Sequence, residues 1–288
     1  MPEILFLLGE AALARNDNHV RLPEAFAQAG WQVTALPHDC LGVHAGRIHL
    51  DGHDPDRFDR IWPLGLGPRE TFFDRMQMLA ALDQRRLVIG ADAFTYLHGK
   101  YRWLDLMPET HAANDADALA RVIASGGDWV IKPPAGSYGQ GVQVIREGED
   151  PMPALRSLTG GEARRYCLVQ RYVPEIVRGE KRTLVAGGEV CGTYLRTPTK
   201  DHRANLSAGG RASAAKLTEE EARLVEGLTA ELLSLGAAFA AIDIVAGRLM
   251  EVNVANPGGL ATLENVYGRD PTPQAVAALM AYWARTGG

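Results

Sequence analysis

This chain of 288 residues is poor in cysteine, in clustered positive charge and in long apolar runs. Each of these shortages argues against one class of protein. Its 3 cysteines, Cys40, Cys167 and Cys191, lie far apart and form no metal-binding or redox motif, which is typical of a reducing compartment. The formal net charge is −5, and the longest basic runs are pairs such as Arg85-Arg86 and Arg164-Arg165. We therefore expect no broad basic face and no nucleic-acid partner.

The apolar run within Pro2–Gly9 covers only about six residues, with no basic leader before it. We interpret it as a buried first strand rather than a signal peptide or a membrane span. We accordingly expect a cytoplasmic protein with no membrane partner. Hydrophobic residues make up 46% and charged residues 23%, as in an average globular protein. The length suffices for two or three compact lobes with a large buried core.

The first part of the chain alternates between strand-like and helix-like patterns. Such alternation predicts a small parallel sheet covered by helices. The predicted strands are Ile4–Leu8, Trp31–Leu36, Arg60–Leu66 and Leu87–Ile89, the predicted helices are His19–Ala29 and Thr71–Leu82, and Gly46–Leu50 adds a hairpin arm. No G-x-G-x-x-G pattern follows the first strand, so this part carries no dinucleotide-binding fingerprint.

The remainder of the chain predicts two further lobes, and the expected fold class is α/β (α+β). A connecting helix over Phe94–Leu106, with Lys100 near its middle, leads into the second lobe, and Pro108 ends that helix. We place the lobes at residues 1–92, 93–172 and 173–288. The other predicted elements are helices at Asp115–Ala124, Pro153–Leu158, Glu219–Leu235, Leu260–Val266 and Pro273–Ala284, and strands at Trp129–Lys132, Gly141–Ile145, Cys167–Tyr172, Arg182–Val185 and Val190–Arg196.

Polar residues stand out in one apolar stretch, Phe239–Val254, which predicts two short strands joined at Gly247. If their loop has an odd number of residues, Asp243, Glu251 and Asn253 point to the same face, because side chains alternate along strands. Neighbouring carboxylates repel each other unless a positive charge lies between them, and oxygen ligands of this kind suit Mg²⁺. A metal site and a pair of solvated polar residues on an edge hairpin both fit this pattern.

A lysine followed by a glycine-rich loop predicts an anion site. Lys132 ends an apolar strand, where a buried ammonium group is costly unless an anion meets it. The glycines of the loop Gly136–Gly141 would let backbone N–H groups close over phosphate oxygens. It is not a Walker loop, because Gly-Lys-Ser/Thr is missing and no helix follows. An ordinary hairpin loop is the alternative, and the lysine weighs against it.

Arginines are concentrated in a segment that we expect to be largely loop, Arg196–Arg211. Arginine offers fixed bidentate donors for phosphate or carboxylate, so the segment suits an anionic reaction centre, whereas a solvated basic loop is the alternative. Its candidate ligands are Arg196, Arg203, Asn205, Arg211 and the pair Gly209-Gly210.

In their order along the chain, these elements resemble an ATP-grasp ligase over roughly Lys100 to Met280, and they are most similar to the bacterial glutathione synthetases. The resemblance implies an ATP-grasp fold with an N-terminal pre-ATP-grasp domain. The order is specific, although each element alone is weak. The elements are Lys100, Val130-Ile-Lys132-Pro133, Gly136–Gly141, Gln170-Arg-Tyr-Val173, Gly179-Glu-Lys-Arg182, Arg203–Gly210, Ile242-Asp-Ile244 and Glu251-Val-Asn253.

The resemblance implies that one group of these residues binds ATP. Lys100 and Lys132 would hold its α- and β-phosphates. A loop would close over the γ-phosphate, and its residues are Gly136, Ser137, Tyr138, Gly139 and Gly141. The adenine would lie against Gln170, Arg171, Tyr172 and Val173, and the ribose against Glu180.

A second group would bind metal and substrate. By the same resemblance, Asp243, Glu251 and Asn253 would bind two Mg²⁺ ions, with Mn²⁺ as an alternative. The residues around the transferred phosphoryl group and the substrate carboxylate would be Arg182, Arg196, Arg203 and Asn205. Further substrate contacts would come from Ser207, Gly209 and Gly210.

Two segments depart from the glutathione synthetase pattern, and both concern substrate recognition. Residues 62–69, Trp-Pro-Leu-Gly-Leu-Gly-Pro-Arg, stand where those enzymes have an Arg-Lys-Asp-Pro-Pro-like run. Residues 254–260, Val-Ala-Asn-Pro-Gly-Gly-Leu, are more similar to the ligases that add glutamate to a ribosomal protein tail.

The resemblance implies a ligase that uses ATP to join a carboxylate to an amine through an acyl phosphate. The expected substrates are small molecules, a γ-glutamyl-cysteine-type dipeptide and glycine. The first alternative is addition of an amino acid such as glutamate to a peptide or protein C-terminus. A non-catalytic ATP-binding module is less favoured, because the predicted lysine, arginine and metal-binding residues are all present. A homo-oligomer, dimer or tetramer, is expected by analogy.

Overall fold

The structure is a computed structural model that describes residues 1–9, 16–98, 100–134, 141–160, 162, 164–199 and 209–287. These residues form a parallel sheet at the N-terminus, a small added hairpin, and two larger antiparallel sheets. The expected α/β (α+β) class and the N-terminal parallel sheet are therefore confirmed. In the part of the chain that the structure describes, no helix is long and apolar enough to cross a membrane.

The N-terminal lobe is built on a three-stranded parallel sheet with helices beside it. Its strands are β1 (Glu3–Leu8), β2 (Gln32–Pro37), β3 (Leu41–His44), β4 (Arg47–Leu50) and β5 (Arg60–Leu64), and its helices are α1 (Asn18–Gln28), α2 (Phe72–Ala80) and α3 (Ala91–Tyr96). The sheet has the order β2-β1-β5, and β3 pairs with β4 as a hairpin. The predicted strand Leu87–Ile89 is wrong. Its residues form only isolated bridges to Ile61 and Ala237, because three residues divided between two partners cannot form a ladder.

The predicted connecting helix over Phe94–Leu106 is also wrong, since the segment contains two separate short helices. The first, α3, ends at Tyr96, and a 3₁₀ helix occupies Tyr101–Leu106. Lys100 directly precedes the second helix instead of lying within a continuous one. The sequence has a glycine at position 99, and glycine disfavours a helix interior by about 1 kcal/mol.

The small lobe is a four-stranded antiparallel sheet with two helices on one face. It contains β6 (Thr110–Ala113), α4 (Ala116–Ile123), β7 (Trp129–Lys132), β8 (Gln143–Ile145), α5 (Met152–Thr159) and β9 (Cys167–Arg171), with the strand order β6-β9-β7-β8. Trp129, Ile131 and Val169 pack with the buried leucines of α4 and α5. Because side chains alternate along a strand, Lys132 and Gln170 lie on the opposite face. Strand β6 was not predicted.

The C-terminal lobe is a five-stranded antiparallel sheet, and its helices pack against it. It contains β10 (Glu180–Ala186), β11 (Glu189–Thr197), β12 (Arg211–Ala214), α6 (Glu219–Ser234), β13 (Phe239–Val245), β14 (Arg248–Asn253), α7 (Leu260–Tyr267) and α8 (Thr272–Thr286), with the strand order β12-β11-β10-β13-β14. Helix α6 begins at a capping box formed by Thr218 and Glu221. Strand β12 was not predicted, because it is only four residues long and three of them are alanine or serine.

The N-terminal and C-terminal lobes share one hydrophobic core, whereas the small lobe has its own. Aromatic contacts join the shared core: Phe26 stacks on Trp283 with ring centroids 6.0 Å apart, and Trp62 meets Phe239 at 5.4 Å. The small lobe therefore has the independent core that a moving element needs. The lobe boundaries proposed from the sequence remain predictions.

Asparagine side chains hold the N-terminal lobe to the segment that follows β14. The Nδ2 of Asn18, at the start of α1, donates to the Oδ1 of Asn256 at 2.8 Å and to the carbonyl of Pro257 at 3.1 Å. Asn16 donates to the carbonyl of Asn256 at 3.1 Å, and the N–H of Gly65 donates to another carbonyl of this segment at 2.9 Å. Asn18 is fully buried, so these bonds fix the segment against the lobe.

We predict that Asn18→Ala lowers the free energy of unfolding by roughly 2–4 kcal/mol, because two acceptors lose their buried donor. Urea unfolding measures the change. The matched control is Asn265→Ala on an exposed face of α7, which should stay within about 0.5 kcal/mol of the wild type. Equal unfolding free energies for both variants would mean that the bonds of Asn18 contribute nothing.

Candidate active site

One cross-strand row of side chains forms the base of the candidate site. The register of the C-terminal sheet places Tyr194 of β11 opposite Arg182 of β10, Arg182 opposite Asp243 of β13, and Asp243 opposite Glu251 of β14. Residues directly opposite each other in a sheet lie on the same face. Four strands therefore present an aromatic, a cation and two carboxylates side by side.

A β-bulge sets the position of Glu251. Ala246 and Gly247 form a two-residue turn with φ of 47° and 78°, and such a turn would place Met250 opposite Asp243. The register instead shifts between Asp243 and Ile244, so that Glu251 takes that place. The extra residue returns Glu251 to the face of Asp243. The shared face expected from the sequence is thus present, and the bulge is what produces it.

Asp243 is surrounded by donors. Arg182 forms a bidentate pair with it, with Nε at 2.7 Å from Oδ1 and Nη2 at 2.6 Å from Oδ2. The Nη2 of Arg196 lies 2.9 Å from Oδ2, and the Nδ2 of Asn253 lies 3.5 Å from the same atom. Burial raises the pKa of this carboxyl, but the two guanidinium groups outweigh burial and hold the pKa below its usual range. Asp243 is therefore ionised, and each of its oxygens has a donor.

The other two carboxylates also have cationic partners. The Nζ of Lys100 lies 2.5 Å from the Oε1 of Glu251. Burial raises the pKa of Glu251, but Lys100 outweighs it, so the pKa lies below the usual value. Glu180 faces Arg196 across β10 and β11 and forms an ion pair with it. The pKa of Glu180 is raised by burial and by the nearby charge of Asp243, although Arg196 opposes the rise.

Lys132 approaches this cluster from the small lobe. Its Nζ donates to the Oε1 of Gln170 at 2.7 Å, and the Nε2 of Gln170 donates to Thr110 at 2.8 Å. Burial, followed by repulsion from Lys100, lowers the pKa of Lys132 to about 7. The carboxylate of Glu251 has the opposite effect, because it favours the charged form of Lys132. Glu180 acts in the same direction as Glu251, so the ammonium group of Lys132 lies within electrostatic range of these two carboxylates of the C-terminal lobe.

The charges of the cluster favour a polyanion. Its cations are Lys100, Lys132, Arg182 and Arg196, and its carboxylates are Glu180, Asp243 and Glu251. With all groups ionised the cations outnumber the carboxylates, and each cation comes from a different part of the chain. A ligand with several negative charges is what this arrangement can compensate.

Arg171 is not brought to the cluster. It lies on the helix-covered face of the small sheet, where its guanidinium contacts the Oε2 of Glu109 at 2.9 Å and the carbonyl of Gly126 at 2.7 Å. It also lies 3.7 Å from the ring centroid of Trp129. These contacts use the side chain structurally, since β9 turns successive residues to opposite faces. The expected cofactor contact of the Arg171 side chain is therefore not supported by its position.

The other expected residues differ in how they are placed. The ring of Tyr172 lies 4.8 Å from the guanidinium of Arg146, and Val173 is buried. Gly141 precedes β8 with φ of 72°, and the carbonyl of Gly209, next to Gly210, accepts from Thr199 at 2.6 Å. Seven expected residues lie outside the described part of the chain: Gly136, Ser137, Tyr138, Gly139, Arg203, Asn205 and Ser207.

The sequence reasoning missed two residues near the cluster. Tyr194 is buried beside Arg182, although its position two residues before Arg196 on one strand was a usable signal. His98 lies near Glu251 and Lys100, and burial lowers its pKa. Its Nδ1 is buried and has no hydrogen-bond partner among the described residues. Two positions before Lys100, it had no pattern that marked it.

The oxygen donors fit a hard divalent cation. Asp243, Glu251 and Asn253 offer carboxylate and amide oxygens on one face, which are ligands that Mg²⁺ and Mn²⁺ accept. In the described ranges no cluster of three or more His, Cys, Asp or Glu side chains is arranged to hold a metal alone. A cation here would therefore need the amide of Asn253 and ligands from outside the protein, as Mg²⁺ sites with phosphates do.

Comparisons with known proteins show the family of this chain. The family model of the ATP-grasp domain of prokaryotic glutathione synthetase matches residues 99–268. The glutathione synthetase of Prochlorococcus marinus (strain MIT 9313) is 32% identical over 183 residues, covering 63% of this chain and 59% of the relative. That of Mesorhizobium japonicum is 31% identical over 167 residues, covering 58% and 53%. The chain thus spans only part of the length of the relatives that it matches.

Solved structures show the same fold over nearly the whole chain. The D-cycloserine synthetase DcsG has a TM-score of 0.72 with 18% identity, covering 97% of this chain and 99% of that one. The ATP-grasp ligase PsnB, complexed with a minimal precursor, has a TM-score of 0.70 with 15% identity, covering 98% and 99%. At such identities the likeness establishes the ATP-grasp fold and nothing about substrate.

We predict that Lys132→Met changes stability in a pH-dependent way. The pKa of Lys132 is about 7 in the folded protein and close to 10.5 in the unfolded chain. Between these two pH values the unfolded state therefore binds more protons than the folded state. The wild type therefore gains stability as the pH rises through that window. The advantage of methionine over lysine should be largest at about pH 6 and shrink by up to about 5 kcal/mol towards about pH 10.

Urea unfolding across this pH range measures the difference, and the unpaired Gln170 acceptor adds only a constant offset. The control is Lys216→Met, because Lys216 is exposed. Its difference from the wild type should not vary with pH. A pH-independent difference for Lys132→Met would contradict the lowered pKa.

Proposed function

We propose that this chain, which belongs to the ATP-grasp family of the prokaryotic glutathione synthetases, is an ATP-dependent ligase that joins a carboxylate to an amine. The observation that carries the proposal is the convergence of Lys100, Lys132, Arg182 and Arg196 on the carboxylate row of the C-terminal sheet. Phosphoryl transfer depends on positioning and on compensation of negative charge, and this cluster supplies both.

In the first step a substrate carboxylate oxygen attacks the γ-phosphorus of ATP, and the bond to the β-phosphate breaks to release ADP. Arg182 and Arg196 would bind the transferred phosphoryl group and the carboxylate as bidentate donors. Lys100 and Lys132 would bind the remaining phosphates. Bound divalent ions, two Mg²⁺ or Mn²⁺ held by Asp243, Glu251 and Asn253, would offset further phosphate charge.

In the second step the amine nitrogen attacks the acyl carbon, the bond to the phosphate oxygen breaks, and inorganic phosphate leaves as the nitrogen loses a proton. Water must be excluded meanwhile, because it would hydrolyse the acyl phosphate. The small lobe carries Lys132 on its inner face and has its own core. Movement of this lobe onto the nucleotide would close the site.

The substrates that we favour are a γ-glutamyl-cysteine-type dipeptide and glycine, by analogy with the relatives. A second candidate keeps the chemistry and adds an amino acid such as glutamate to the C-terminus of a peptide or protein. The observation in its favour is the segment at residues 254–260, which departs from the synthetase pattern. Asn18 donates to the carbonyl of Pro257 in this segment, and Arg182 donates to the carbonyl of the next residue, Gly258. A cytoplasmic location and a dimeric or tetrameric state belong to the proposal as well.

Phosphate release from ATP and Mg²⁺ tests the proposal. Panels of γ-glutamyl dipeptides and longer peptides, each combined with single amino acids, should include one pairing that releases phosphate and forms an amide product detected by mass spectrometry. Release with dipeptides supports the first candidate, and release only with longer peptides supports the second. Binding of ATP without release under any pairing would favour a non-catalytic module.

We predict that Glu251→Gln lowers turnover by about a hundredfold or more, since removal of one electrostatic stabiliser costs roughly 3 kcal/mol of transition-state stabilisation. Steady-state phosphate release at ordinary Mg²⁺ concentration measures the loss. The control is Glu226→Gln on an exposed face of α6, which should keep wild-type turnover. Near-normal turnover of Glu251→Gln would refute the role of Glu251 at the metal.

A further inference from the structure

We propose that Arg182 makes this site selective for a divalent cation that arrives with a polyphosphate, and excludes the free cation. This inference rests on the proposed function, because it assigns the site to a metal–nucleotide complex. The order in which the nucleotide and the cation can enter the site then follows from the position of Arg182. Arg182 acts by occupying the carboxylate that the cation needs.

Both carboxylate oxygens of Asp243 already have donors. Four N–H groups surround the carboxylate, one at Oδ1 and three at Oδ2. They belong to Arg182, which contributes two, and to Arg196 and Asn253, which contribute one each. Asp243 is 1% exposed, so water cannot replace a donor that leaves. A free cation would have to displace a bidentate guanidinium from a buried position.

Displacement without compensation is unfavourable. The side chain of Arg182 is 14% exposed and that of Lys100, which pairs with Glu251, is 6% exposed. A cation that took over both carboxylates would leave these two charges buried and unpaired, and would add its own charge beside them. Phosphate groups remove the obstacle, since they can accept the donors of Arg182 and Lys100 and so release the carboxylate oxygens.

The two arginines differ in what they keep when Asp243 is given up. Arg196 retains its second ion pair, with Glu180 on the neighbouring strand. Arg182 retains only a hydrogen bond of 3.3 Å to the carbonyl of Gly258, apart from its bonds to Asp243, among the described residues. A carbonyl does not neutralise a guanidinium. Arg182 is therefore the residue whose release depends on an incoming phosphate, and Glu180 holds Arg196 in place.

The experiment measures Mn²⁺ binding by the loss of the free-ion EPR signal, with the protein alone and with saturating ADP, each compared with a protein-free sample because ADP itself binds Mn²⁺. For the wild type we expect Mn²⁺ to bind at least about a hundredfold tighter when ADP is bound to the protein than when it is not. For Arg182→Met we expect Mn²⁺ alone to bind at least about tenfold tighter than to the wild type, because Asp243 loses its bidentate partner. Isothermal titration should show that ADP binds this variant more weakly.

The matched control is Lys181→Met. Lys181 is the neighbouring residue of β10, points to the opposite face, and pairs with Glu221 at 2.5 Å. Loss of this positive charge should leave Mn²⁺ binding unchanged in both conditions. If Lys181→Met also bound Mn²⁺ alone about tenfold tighter, the effect of Arg182→Met would be explained by the change in net charge, and the proposal would be overturned.

The wild type decides the question even if Arg182→Met does not fold. Binding of Mn²⁺ alone as tightly as with ADP would overturn the proposal while the nucleotide site stood. Unchanged Mn²⁺ affinity in a folded Arg182→Met would overturn it as well. Failure of the proposed function has a different signature, in which the wild type binds neither ADP nor ATP in the presence of the cation.

Discussion

The compensation of Asp243 by Arg182 is the interaction on which the site depends. A buried carboxylate without a partner would be protonated or would destabilise the sheet, and a bidentate guanidinium prevents both. Cross-strand pairing in the sheet places these two groups opposite each other. Every other charge in the cluster is then arranged around this pair, with Arg196 bridging to Glu180 and Lys100 covering Glu251.

The arrangement makes the lobes interdependent. The C-terminal sheet carries the carboxylates, the linker carries Lys100, and the small lobe carries Lys132 on the face that its helices leave free. The pKa of Lys132 falls because burial and Lys100 disfavour its charge, and a bound anion would offset both effects. The same electrostatics that costs stability thus provides affinity, which is a common relation at functional sites.

Much of the fold followed from local patterns. Strand β7 has the predicted bounds, α6 ends one residue before its predicted end, and β13 and β14 form the hairpin predicted over Phe239–Val254. The elements that the sequence did not predict correctly have two different explanations. The sequence has a glycine at position 99, inside the helix expected through Lys100, and β6 and β12 are four-residue strands that their neighbours stabilise. Short strands depend on pairing, and pairing is not a local property.

The sequence by itself determined the kinds of residue available to the site and their order along the chain, which were enough to indicate the family resemblance and its chemistry. Only the tertiary structure decided which cation meets which carboxylate. It assigned Arg182 to Asp243 and Lys100 to Glu251, turned Arg171 away, and brought Tyr194 in. The physical reason is register: one bulged residue near Met250 exchanges the faces of a strand, and periodicity cannot show where a partner strand will place it.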